Sequence, residues 1–131
     1  MIMVDSSVWI DYFNGTQTDA SDFLDAALGN KNLIIGDLIL TEVLQGFKSE
    51  KDFNQGKRLL TAFEVRPLLS QELAVCSAQN FRYFRKKGIT VRKTIDVIIA
   101  TYCIENDITL LHSDRDFLPF AKHLGLKVLP E

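Results

Sequence analysis

Five short apolar runs recur along this chain, at residues 1–4, 33–35, around Val65, at 109–111 and at 126–129, and each is too brief to make a helix. Helical patterning fills the intervals. Such a pattern of buried strands alternating with helices restricts the chain to a largely parallel sheet covered on both faces, because parallel neighbours need long crossovers and helices supply them.

The breaks in the pattern agree with this. Asp5-Ser6-Ser7 offers N-cap side chains to a helix carrying Val8, Trp9, Ile10, Tyr12 and Phe13, which stops near Asn14-Gly15. Further helices are expected over residues 19–28, 38–47, 50–63, 71–87 and 95–106, and one that opens at Ser113-Asp114 and runs to about Leu124. With 131 residues, 47% of them hydrophobic, and no repeat or Pro/Gly/Ser-rich linker, residues 1–131 read as one domain.

No apolar run approaches the roughly 20 residues that span a bilayer, and residues 1–5 enter a strand without a basic leader, so a cytoplasmic location without a membrane partner is expected. Cys76 and Cys103 lie far apart with no Cys-x-x-Cys or Cys/His spacing and read as buried free thiols. The net charge of −2 excludes a protein that coats nucleic acid by charge alone. It conceals an asymmetry. Between Glu72 and Asp96 there is no acidic residue, while Arg82, Arg85, Lys86, Lys87, Arg92 and Lys93 all fall there.

Four carboxylates stand out. Asp5 and Asp114 each follow directly on an expected strand and Asp96 opens a helix, which is where open parallel sheets place functional groups. Glu42 sits mid-helix among Ile39, Leu40, Val43, Leu44 and Phe47, so it faces burial or a cleft. Taken singly, Asp5, Asp96 and Asp114 are also ordinary helix caps. Taken together, several carboxylates a few ångströms apart need raised pKa values or a cation. Mg²⁺ or Mn²⁺ suits oxygen ligands and phosphodiester chemistry. His112 adjoins the acids, either to contact substrate or to donate a structural hydrogen bond, and His123 reads as structural. Two histidines so differently placed do not make a metal-free acid–base pair.

Four ordered blocks resemble the PIN domains, and within them the VapC-type toxins. They are Val4-Asp5-Ser6-Ser7-Val8-Trp9-Ile10, Thr41-Glu42-Val43-Leu44-Gln45-Gly46, Val91-Arg92-Lys93-Thr94-Ile95-Asp96-Val97-Ile98-Ile99-Ala100 and Leu110-Leu111-His112-Ser113-Asp114-Arg115-Asp116-Phe117. The resemblance covers nearly the whole chain. It implies a three-layer α/β/α sandwich around a mostly parallel sheet and Mg²⁺-dependent endoribonuclease activity, with Mn²⁺ as a substitute. It further implies a metal site of Asp5, Glu42, Asp96 and Asp114, Asp5 and Asp96 being the most direct ligands and Asp116 an auxiliary catalytic acid. Ser6, Ser7 and Thr94 would orient ligands or water. The partners it implies are an RNA substrate and a small VapB-like antitoxin, with the chain a homodimer that assembles into a heterotetramer or larger complex. Trp9, Tyr12 and Phe13 are candidate walls for the antitoxin groove, Trp9 equally a core residue.

Arg92 and Lys93, immediately before Thr94 and Asp96, are candidates to hold a substrate phosphate. Arg85, Lys86 and Lys87 are further RNA-binding candidates, although cations at a helix C-terminus are also favoured by the helix dipole. Tyr83 and Phe84 beside them are more simply core than base-stacking residues. Two competing readings stay open on sequence: a phospho-receiver-like Mg²⁺-binding signalling domain, whose paired acids after the first strand are missing here, and a PIN-like module that binds RNA or protein without cutting.

Overall fold

The computed structural model describes residues 1–30 and 32–130. Its strands are β1 (Ile2–Val4), β2 (Leu33–Gly36), β3 (Glu64–Arg66), β4 (Thr109–Leu111) and β5 (Val128–Leu129). They form one parallel sheet in the order β3-β2-β1-β4-β5. The helices are α1 (Ser6–Asn14), α2 (Asp19–Ala27), α3 (Asp37–Gln45), α4 (Glu50–Leu60), α5 (Gln71–Lys86), α6 (Thr94–Glu105) and α7 (Leu118–Leu124). The expected sandwich is present, and its sheet is parallel at every pairing among the described residues.

Most boundaries follow local chemistry. Gly15 ends α1 at a φ of 72°, a left-handed conformation that a side chain resists, and Gly88 follows α5 at 73°. Thr18, Ser49 and Ser70 cap α2, α4 and α5 by accepting backbone N–H groups. One expectation fails in detail. The helix expected from Ser113-Asp114 begins as a 3₁₀ turn at Arg115–Phe117, and α7 starts only at Leu118, because Pro119 has no N–H to donate and suits a helix's first turn. The last strand is also shorter than expected, two residues against four.

Strand order sets where a site can form. Right-handed crossovers carry α1 to α4 over one face while the chain moves from β1 outward to β3, then α5 to α7 over the other as it returns through β4 to β5. The packing agrees: α1 touches α2 and α3, α3 touches α4, and α5 lies against α6. Direction reverses between β1 and β4, so the crevice at their carboxyl ends is the expected binding place. A receiver-like domain would pair β1 with β2 and β3 instead, and here β3 is an edge strand.

The core that holds this crevice rigid runs through both faces. Met3, Val4, Ile34, Ile35, Leu110 and Leu111 of the sheet are buried, with Val8, Trp9, Leu24 and Ile39 on one side and Phe84, Ile99, Cys103, Phe117 and Phe120 on the other. Cys103 is buried as expected. Cys76 is only half-buried, at the surface of α5 near Glu105, so the expectation of two buried thiols holds for one.

At the end of β2 the backbone approaches Leu68 closely. A Cβ on Gly36 would stand 2.6 Å from Leu68 Cδ1 and 2.9 Å from its Cγ, and the adjoining Asp37 carboxylate accepts the Leu68 N–H. Leu68 is fully buried and has little room to yield. Gly36→Ala should therefore destabilise the protein by about 1–3 kcal/mol in chemical denaturation.

Candidate metal centre

Each acid reaches the crevice by a different local route. Asp5 directly follows β1, and its N–H donates to the Leu111 carbonyl at 2.9 Å, extending the β1–β4 pairing by one residue. Its carboxylate then divides. Oδ2 accepts the Ser7 N–H at 3.1 Å and the Ser7 hydroxyl at 2.6 Å, capping α1, whereas Oδ1 is buried with no hydrogen-bond partner. The cap reading of Asp5 therefore holds for one oxygen, and the other is left without a partner.

Asp114 does the same after β4. Its Oδ1 accepts the Asp116 N–H at 2.9 Å and so caps the 3₁₀ turn that carries Asp116. Asp96 differs, because α6 has Lys93 at its N-cap with no side-chain cap bond, and Asp96 sits in the first turn. It is buried, and its Oδ2 lacks any partner. The simple cap reading fails for Asp96. Glu42, on α3, is half-buried and accepts the Ser6 hydroxyl at 3.3 Å.

One oxygen each from Asp96, Asp114 and Asp116 lie within 4.8 Å of one another. This tightest trio includes Asp116, which the sequence placed as an auxiliary, and omits Asp5, which it placed among the most direct ligands. Asp5 nevertheless belongs to the same electrostatic group. Burial raises the Asp96 carboxyl from the ordinary 3.8 to about 7, and the charges of Asp5, Asp114 and Glu42 add to the rise while Lys93 opposes it. Burial likewise raises Asp5, assisted by Asp114 and opposed by its Ser7 hydrogen bonds. Glu42 is raised by burial and then by Asp5, against the Ser6 hydroxyl and Lys93. Acids separated by up to 109 positions in the chain (114 − 5) thus share one field.

These residues fit a hard divalent cation. Two buried carboxylate oxygens have no partner, three more carboxylates lie near, and the donors are all oxygen, the set that Mg²⁺ or Mn²⁺ prefers. A buried acceptor without a donor is costly, and a cation between such oxygens removes that cost together with the mutual repulsion.

The flanking candidates separate. Arg92, exposed, reaches Asp116 Oδ1 at 3.3 Å, and Lys93 is close enough to lower both Glu42 and Asp96. Arg85, Lys86 and Lys87 are exposed at the end of α5, with Arg85 over the Phe81 ring at 5.8 Å and Lys87 over Tyr83 at 5.2 Å. No ion pair joins these three to the acids among the described residues. Thr94 is exposed on the first turn of α6, without a hydrogen bond to the acids among the described residues, and it borders an apolar groove with Ser77, Phe81 and Ile98. Trp9 is core, stacked on Phe13 at 6.1 Å between centroids, while Tyr12 and Phe13 are half-buried beside it.

Two contacts escaped the sequence reading. Ser7 Oγ also accepts the Ser113 N–H at 3.4 Å, joining the ends of β1 and β4 a second time. His112 accepts a bond from the Asp114 backbone rather than donating one. The Ser7–Ser113 contact has no sequence signal, since it depends on which strands become neighbours, whereas the His112–Asp114 bond spans two positions and depends on how the chain turns after β4.

Comparison with known proteins agrees with this architecture. The chain is 27% identical over 132 residues to the ribonuclease VapC11 of Mycobacterium tuberculosis, a match covering 97% of this chain and 96% of that one. Among solved structures, VapBC2 from Rickettsia felis, bound to a DNA fragment from its promoter, superposes with a TM-score of 0.75 at 18% identity, covering 98% of this chain and 97% of the other. A toxin-antitoxin complex from Klebsiella pneumoniae superposes at 0.71 with 22% identity, covering 89% and 90%. At those identities the structural likeness is one of fold. The PIN domain family itself matches residues 2–123, and with nearly the whole chain matched and the sheet order and acids in place, the chain belongs to the PIN domain family.

Proposed function

We propose that this chain is a metal-dependent endoribonuclease, the toxin of a toxin-antitoxin pair, that hydrolyses RNA at the Asp5, Glu42, Asp96, Asp114 and Asp116 cluster with Mg²⁺, or Mn²⁺ in its place. The observation that carries this reading is the pair of buried, partnerless carboxylate oxygens on Asp5 and Asp96 beside the Asp96–Asp114–Asp116 trio. It is supported by a relative of nearly equal length named a ribonuclease.

The acids Asp5, Asp96, Asp114 and Asp116 would hold the ion, with Glu42 at their edge. A bound Mg²⁺ supplies a lowered pKa for water and positive charge against a phosphodiester. The chain's own residues supply the rest. Ser7 keeps one Asp5 oxygen engaged so that the other faces the site, and Ser6 orients Glu42. Arg92 and Lys93 form a positive flank where a substrate phosphate can be held, so that an acidic protein of pI about 5.7 can grip RNA locally. Arg85, Lys86 and Lys87 extend that flank along α5.

The proposed setting is the cytoplasm, consistent with the lack of any helix long and apolar enough to cross a membrane among the described residues. The proposed partners are a VapB-like antitoxin and a second copy of the chain, in a heterotetramer or larger assembly. Support comes from structural neighbours described as VapBC and toxin-antitoxin complexes. A module that binds RNA without cutting would have no use for five acids around partnerless buried oxygens.

With Mg²⁺, the wild type should cut RNA to 5′-phosphate and 3′-hydroxyl ends, and Asp5→Asn and Asp96→Asn should each lower turnover by about 100-fold or more. Retained cleavage in both variants, or 2′,3′-cyclic phosphate ends, would reject the mechanism. Arg92→Ala should weaken RNA binding and lower its salt slope by about one unit, without loss of thermal stability.

A pH dependence follows from Asp96. Without metal, the folded protein keeps the Asp96 proton up to about pH 7, whereas an unfolded chain releases it near 3.8. The folded state therefore binds more protons, and this contribution to stability is full below the lower value and is lost as pH rises through the higher one. The melting temperature of metal-free protein should fall across that window, and Mg²⁺ should restore it more at pH 8 than at pH 5. Asp96→Asn should make the metal-free profile shallower, leaving the part that Asp5 and Glu42 contribute, and abolish the Mg²⁺ response, both readable by calorimetry.

A further inference from the structure

We propose that His112 is a positioning residue of the metal centre, its neutral imidazole fixing the backbone from which Asp114 and Asp116 are aimed. The assignment rests on the metal-site reading given above and adds to it a residue that does not belong to the acidic cluster.

The chain of contacts is continuous. The His112 backbone N–H donates to the Leu129 carbonyl at 3.0 Å, so β5 anchors the residue just beyond the end of β4. Its ring is buried and meets Phe117, itself fully buried, edge to face at 5.3 Å between centroids. From that fixed position Nδ1 accepts the Asp114 N–H at 3.2 Å. Asp114 Oδ1 in turn accepts the Asp116 N–H, and both carboxylates offer oxygens to the trio with Asp96.

The chemistry of the bond sets the state of the ring. A backbone N–H can only donate, so Nδ1 must carry a lone pair, and the single proton of the neutral ring lies on Nε2. Phe117 lies in the 3₁₀ turn that Asp114 caps, so the imidazole grips the segment twice, once at the Asp114 amide and once at the Phe117 ring.

Two variants separate this role from mere packing. Asn carries an acceptor oxygen near the place of Nδ1 and can receive the same N–H, whereas Phe fills the space without an acceptor. Titration of each protein with Mn²⁺ by calorimetry should show His112→Phe binding about tenfold or more weakly than wild type and His112→Asn within about threefold of it. Wild-type affinity in His112→Phe, or His112→Asn as weak as His112→Phe, would overturn the proposal. Should His112→Phe fail to fold, ¹⁵N NMR of the wild type decides: an unprotonated Nδ1 coupled to the Asp114 amide supports it, and a protonated Nδ1 rejects it. RNA cleavage measured alongside keeps the two readings apart. A wild type that shows the expected Mn²⁺ ranking yet leaves RNA intact rejects the nuclease reading and supports His112 as positioned here. An active nuclease whose Mn²⁺ affinity ignores His112→Phe rejects His112 alone.

Discussion

The pairing of β1 with β4 is the constraint on which the site depends. These strands are separated by more than a hundred residues of chain, yet Val4 lies opposite Leu111 and the Asp5 N–H closes on the Leu111 carbonyl. That register brings the first residue past β1 beside the loop that follows β4. A slip of one residue would turn Asp5 away, since successive side chains in a strand face opposite sides. The slip is opposed because it would carry the Asp5 carboxylate into a strand position like that of Val4, fully buried beneath a helical layer, or draw Val4 out of it.

What that register brings together is unfavourable without compensation. Burial and mutual repulsion push Asp5, Glu42 and Asp96 in the same direction, toward holding a proton. The fold accepts this at one end of a well-packed sheet, where the surrounding core leaves little freedom to relax it. Parts of the same carboxylates also build the local structure. Asp5 starts α1 and Asp114 starts the 3₁₀ turn, each with one oxygen, which leaves the other available to the crevice. Fixing one oxygen by a backbone N–H orients the second, so the caps act as part of the site.

Positive charge is arranged around this acidic centre rather than within it. Lys93 lowers two of the acids through space, and Arg92 closes on Asp116 from an exposed position. An exposed ion pair of that kind contributes little stability, on the order of 0–1 kcal/mol, and is screened by salt. Its guanidinium is therefore held only weakly by Asp116 and stays open to solvent.

Much of this was legible in the residues. Short apolar runs alternating with helical patterns specify parallel strands and crossovers, because periodicity, capping and turn chemistry are local and act over a few residues, and the resemblance of four blocks to the PIN domains singles out Asp5, Glu42, Asp96 and Asp114. Tertiary structure alone decided the rest. Asp116 joins the tightest group of oxygens since a 3₁₀ turn, and not an α-helix, follows Asp114. The sequence placed Arg85, Lys86 and Lys87 in one basic stretch with Arg92, but only Arg92 pairs with an acid of the site. The Ser7–Ser113 link likewise needed strand order, as it joins segments 106 positions apart that meet only when one sheet is buried between two helical layers, whereas the acceptor role of His112 toward Asp114 is local and was decided by the turn of the chain after β4. Spacing along a chain says which groups an element can present, and the packing of distant elements says which of them meet.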